Sequence, residues 1–273
     1  MNTEIISSPE RVIPLERPAL YWTLVDMLVL AMRQLRHIAR VPDELVTTAL
    51  QPIMFVVLFR YVFGGAIEVP GTSYIDFLMP GIFVTSLLFS ALFTGVGLAA
   101  DLQRGLVDRF RSLPMATSAL LTGRTLADLV RSLFMILLTW GVGLLVGFRP
   151  QGSLREWLMA LGLLLLGSFA FSWLNALLGL VLRSVEAVQQ SFVVWALPLM
   201  FASSALVPTS TMPGWLRAFA EHQPVSLITN AVRGLVLGNP SSATIWQAVA
   251  WCTGMLVVFI PVAVWAYGRR TAR

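Results

Sequence analysis

Lysine is missing from this 273-residue chain, so all 19 basic residues are arginine. A P-loop needs a lysine ammonium to neutralise the β- and γ-phosphates of a nucleotide, and none can be built here. The sequence also lacks HExxH, GxSxG and any paired-cysteine metal site. Its single cysteine, Cys252, lies in an apolar stretch, permits no intrachain disulfide, and reads as a small buried apolar residue. The two histidines, His37 and His222, read as surface or packing residues rather than ligands. Charge is scarce, at 12% of residues, where a soluble domain carries about 25%. Hydrophobic residues make up 57%. A soluble fold of this length cannot hide that much apolar surface, whereas a bilayer is itself an apolar solvent. The expectation is an all-α membrane protein over residues 20–273 that is not an enzyme by itself. Residues 1–19 hold no apolar core of a signal peptide and read as a disordered cytosolic leader.

Six stretches are apolar enough to span: Glu44 to Phe63, Ile75 to Ala100, Ala116 to Phe148, Leu154 to Leu182, Ala187 to Val207 and Thr244 to Tyr267. The third and fourth exceed one bilayer thickness. With both termini cytosolic, most arginines fall inside, and Arg60, Arg149, Arg155, Arg217 and Arg233 fall outside, as the positive-inside rule expects. The net charge of +5 is spread along the flanks of the spans. That pattern suits anionic lipid and topology, not nucleic acid. A multi-pass protein of the cell membrane follows.

Three further segments are too short or too polar to span. Residues 20–40 carry Leu20, Leu24, Leu28, Ala31, Leu35 and Ile38 at helical spacing, with Arg33, Arg36, His37 and Arg40 at one end. They read as an interfacial helix in the cytosolic leaflet. Residues 101–113 put Leu102, Leu106, Phe110 and Leu113 on one stripe and Arg104, Asp108 and Arg111 on another. The pattern fits either a plain solvated loop helix or a two-faced cytosolic helix that offers charge to a partner. Residues 211–238 break at Gln223-Pro224 into two helical pieces, neither able to cross a bilayer. They suit an outer re-entrant hairpin, with Pro213 in a first helical turn, Gly238 as a C-terminal cap, and Arg217 and Glu221 paired at i, i+4. An outer loop with incidental helices is the alternative.

Ion-driven transporters carry ionisable groups deep in the membrane. Here Glu44, Asp76, Asp101, Asp128, Glu156 and Glu186 fall near span ends, and Asp128 and Arg131 lie one turn apart. The chain therefore has no evident coupling site of its own, and uphill transport needs energy from a partner.

GLVDRFRSLPM after the second span, VPTSTMPGWLRAFAEHQPVSLITNAVRGL after the fifth, and LMPG at Leu78 to Gly81 resemble ABC transporter permeases of the type 2 export family, in its daunorubicin/doxorubicin-resistance branch. The resemblance covers nearly the whole chain. It implies the transmembrane subunit of an antibiotic-resistance or lipid exporter, paired with a second permease copy or a paralogue. Two ABC ATPase subunits would bind ATP and Mg, and this chain would hold no cofactor. It implies an ATPase-coupling role for Asp101, Gln103, Arg104, Asp108, Arg109 and Arg111. It also implies a re-entrant hairpin that includes Pro213, Trp215, Arg217, Glu221, Pro224 and Asn230. Phe83, Ser86, Phe89 and Phe93 on the second span, and Phe192, Trp195 and Met200 on the fifth, become candidates for lining a path at the dimer interface. Such a path suits a hydrophobic small molecule or lipid. The remaining alternatives are an ion-coupled secondary transporter or channel, or a membrane enzyme or scaffold.

Overall fold

The computed structural model describes residues 42–65, 69, 71–104, 117–182 and 184–271. The expected leader (1–19), the interfacial helix (20–40) and residues 105–113, with Asp108, Arg109 and Arg111, lie outside the described residues. Among the described residues every regular element is helical. Helix α1 is Pro42–Leu58, continued by a π-helical turn Phe59–Phe63. The others are α2 Tyr74–Gln103, α3 Thr117–Val146, α4 Leu154–Val181, α5 Val185–Phe201, α6 Gly214–His222, α7 Pro224–Val236 and α8 Ser242–Thr271.

Local chemistry sets most of these starts. The Ser73 and Ser184 hydroxyls accept from the amides of Asp76 and Ala187 and cap α2 and α5. Ser153 and Glu156 form a reciprocal capping box on α4. Pro224 occupies the first turn of α7, and Gly238 follows that helix at φ +75°.

Helices α2, α4, α8 and the Thr122–Val146 portion of α3 are long and apolar enough to cross a membrane; Ala49–Phe63 and Val185–Phe201 are shorter apolar helices. With 30 residues in α3 and 28 in α4, these helices run about 45 and 42 Å, beyond the ~30 Å hydrocarbon core. One expected boundary is corrected. The fifth stretch does not stay helical to Val207, because α5 stops at Phe201 and residues 202–207 form turns. Serines here compete for the backbone: Ser203 Oγ donates to the Met200 carbonyl at 2.5 Å. Gln223 Nε2 donates to the Leu199 and Ala202 carbonyls at 2.9 and 3.4 Å, which satisfies the open end of α5.

Helix α2 is the axis of the fold. Within its apolar window 72% of residues are buried inside the chain, against 22% for α8. It packs most extensively on α4, then on α3, α5 and α7. Helices α2 and α4 meet at Gly95 and Gly179, where a side chain on Gly179 would stand 2.5 Å from the Gly95 carbonyl oxygen. Small residues permit that backbone approach, as at crossings of membrane helices. The outward face of α8 exposes Trp246, Trp251, Val257 and Trp265.

Candidate functional site

Three groups of side chains sit along α2: charged at its Asp101 end, aromatic in the middle, polar at its Gly81 end. At the first, α2 and α3 run antiparallel and exchange polar contacts turn by turn. Arg124 donates to Asp101 at 2.6 Å, with side-chain exposures of 15% and 24%. Two turns along α2, Thr94 donates to the Asp128 carboxylate. Asp128 also pairs with Arg131 at 3.4 Å, and the Arg131 guanidinium lies 5.2 Å from the centre of the Phe93 ring. Next come Ser90 and Ser132 at 3.3 Å, and then Ser132 and Ser168 of α4 at 2.6 Å. This places Asp128, only 3% exposed, inside the bundle rather than at a span end.

In the middle, rings from four helices touch in series. Phe55 of α1 meets Phe89 of α2 at 6.2 Å, Phe89 meets Phe192 of α5 at 5.3 Å, and Phe192 meets Trp195 at 5.4 Å. Trp195 then stacks on Phe171 of α4 at 6.4 Å. The Trp195 indole N–H is buried without a hydrogen-bond partner among the described residues.

At the Gly81 end, the turns after α5 are bound to α2 and α7. Arg233 donates to the Phe77 carbonyl at 3.0 Å, to Asn230 Oδ1 at 2.7 Å and to the Ser204 carbonyl at 2.7 Å. Its guanidinium lies 3.8 Å from the centre of the Phe77 ring. Ser204 also donates to Asn230 Oδ1, and its amide donates to Ser226 Oγ at 2.9 Å. Helix α6 stands further out. Trp215 is 76% exposed, and Arg217 pairs with Glu221 at 2.6 Å. The Arg217 hydrogen bond, aided by Thr209, holds the exposed Glu221 carboxyl below its ordinary range. A depressed carboxylate lends stability above its ordinary pKa and loses it as pH falls through the lowered one. Arg217→Ala is therefore expected to raise the Glu221 midpoint in a carboxyl-¹³C titration while barely moving thermal stability.

The sequence-derived residues divide accordingly. Asp101 and Gln103 belong to the last turn of α2 and Arg104 caps it, so they do not open a separate helix; Asp101 turns inward to Arg124. Among the aromatic candidates, Phe89, Phe192 and Trp195 come together. Phe83 is buried against Phe148 instead, and Phe93 lies under Arg131. Ser86 bonds back to the Ile82 carbonyl, and Met200 is buried in the core. Pro213 precedes α6 as its N-cap rather than entering the first turn, while Pro224 does enter α7. Arg124, Thr94, Arg233 and Gln223 were absent from the sequence-derived set. Their partners on other elements lie far off in the chain, so no local spacing announces those contacts.

Residues 26–237 match the family model described as ABC-2 type transporter. The chain is 32% identical over 257 residues to the daunorubicin resistance ABC transporter permease protein of Streptomyces coeruleorubidus, covering 94% of this chain and 91% of that relative. It is 28% identical over 265 residues to a "probable doxorubicin resistance ABC transporter permease protein" of Mycobacterium tuberculosis, covering 96% and 95%. ABC transporter G family member 20 of Dictyostelium discoideum is 28% identical over 209 residues, which take in 74% of this chain but 28% of that longer protein. With four helices long and apolar enough to cross a membrane and a family match that runs through most of its length, the chain is a multi-pass membrane protein and belongs to the ABC-2 type transporter family.

Proposed function

We propose that this chain is the permease subunit of an ATP-driven exporter that moves a hydrophobic or amphiphilic molecule (drug, lipid or glycolipid) out of the cytosol or the inner leaflet. The observation that carries it is the alignment, over 94% of the chain, with a daunorubicin resistance permease. Absence of lysine removes the P-loop, so ATP and Mg belong to partner ATPase subunits, two per complex. A second permease copy or a paralogue completes the pore in the cell membrane. Both termini are cytosolic, and α1 and α5 join the four long helices as spans five and six in number. Segment 101–113 takes up the movement of the ATPase, and α6 and α7 form the outer re-entrant pair. The ring series Phe89, Phe192 and Trp195 offers an apolar route, and the indole N–H of Trp195, without a partner among the described residues, gives an amphiphile one polar handle.

The ion-coupled alternative has one observation in its favour, the buried Asp128. Its pairing with Arg131 weakens that reading, because a fixed cation already fills the place of a coupling ion. Proteoliposomes with this chain and the ATPase encoded beside it are expected to export daunorubicin only with ATP and only with the partner. Export driven by a proton or sodium gradient without the partner overturns the reading.

A further inference from the structure

Segment 105–116 joins α2 to α3, so the last turns of α2 and the first turns of α3 are where any force on that segment enters the bundle. At this point Arg124 bonds Asp101 at 2.6 Å, with both side chains largely shielded. The guanidinium lies against bare backbone. A Cβ on Gly97 would stand 1.5 Å from Arg124 Nη2, so even alanine there must displace the arginine. The Thr94 to Asp128 bond repeats the tie further along the same two helices. Among the described residues, Asp128 bonds Thr94 and pairs with Arg131, and Arg124 pairs with Asp101.

We propose that Asp101 and Arg124, seated over Gly97, form a clasp that makes α2 and α3 move as one lever when the segment between them is pushed. Asp101 is thereby a positioning residue and not a contact to the ATPase. The proposal rests on the permease reading above. An exposed ion pair is too weak for this task, but a shielded one resists shear between helices because parting it strands charge away from water.

The test uses the complex with its ATPase partner, purified and reconstituted. Three variants are compared with the unaltered protein: Arg124→Gln, Gly97→Ala, and the exchange Asp101→Arg with Arg124→Asp. Two readouts are taken, namely partner ATPase rate in the complex relative to the free subunit, and daunorubicin exported per ATP. The single variants are expected to retain the partner yet lose coupling about tenfold, within the range that mutations along a coupled network produce. The exchange is expected to restore coupling to within about twofold of the original, because it rebuilds the pair with its polarity reversed. A purely structural role would move thermal stability and leave the export ratio alone. Normal coupling in both single variants overturns the clasp. So does loss of partner binding, which would put the pair in the contact itself, or an exchange variant as defective as Arg124→Gln. If the unaltered chain binds no ATPase, the permease reading fails instead.

Discussion

Replacing Arg233 with methionine is expected to destabilise the folded protein by about 3 kcal/mol. Two effects oppose each other. Arg233 is half-buried, with its guanidinium turned into the bundle, and among the described residues no carboxylate pairs with it, so removing it recovers part of a desolvation cost. Against this, the Ser204 carbonyl lies in a turn, outside any helix, and loses its donor, while Asn230 Oδ1 keeps the Ser204 hydroxyl and the Phe77 carbonyl, inside α2, loses a second donor. An unmet buried acceptor costs roughly 1–3 kcal/mol, and stacking on Phe77 is lost too. The stranded Ser204 carbonyl, the two weakened acceptors and the lost ring contact together outweigh the recovered desolvation, so destabilisation wins. Arg233→Lys keeps the charge but not the planar fork that reaches α2, α7 and the turn together, and should fall between. Denaturant unfolding in mixed micelles reads the order, original above Arg233→Lys above Arg233→Met. A methionine variant as stable as the original would mean that desolvation dominates at this site.

Arg233 also shows where sequence reading stops. As one outer arginine among five it looks like a topology marker, because nothing nearby says that α7 carries it into the bundle. Some helix ends were legible, since capping depends on residues within one turn: the Gln223-Pro224 break and the glycine cap at Gly238 are read that way, and the caps Ser73 and Ser153 act as locally. The pairs Asp128 with Arg131 and Arg217 with Glu221 were legible for the same reason, being three and four residues apart. Asp101 with Arg124, and Thr94 with Asp128, are separated by 23 and 34 residues and depend on the antiparallel register of two long helices. Helix α2 is apolar almost all round, so it has no stripe to say which aromatic faces a neighbour within the chain. That is why Phe83 and Phe89 looked equivalent in sequence but stand in different surroundings. The polar turn at 202–207 hid in a composition rich enough in Ala, Leu and Val to pass for the end of a span.

The LMPG stretch makes the same point and leads to the other large effect. Gly81 is buried within α2, where glycine costs a helix about 1 kcal/mol relative to alanine. The compensation is contact with the turn after α5. A Cβ on Gly81 would lie 1.8 Å from the Ala205 carbonyl oxygen and 2.5 Å from its carbonyl carbon. Both obstacles are backbone, and that backbone is held by Arg233 through Ser204, by Gln223 through Ala202 and by the Tyr74 hydroxyl through Leu206. It cannot yield as a flexible side chain would. Gly81→Ala is therefore expected to cost about 3 kcal/mol, at the upper end of overpacking, and Gly81→Val to yield no monodisperse protein. Gly162 on α4 supplies the control, because it is exposed and a Cβ there meets nothing within 4 Å. Gly162→Ala should be neutral or stabilising by up to about 1 kcal/mol. Thermal unfolding followed by size-exclusion chromatography separates the two positions. Equal tolerance of alanine at both would show that the turn at Ala205 moves freely, and with it the connection between α2 and the outer helices.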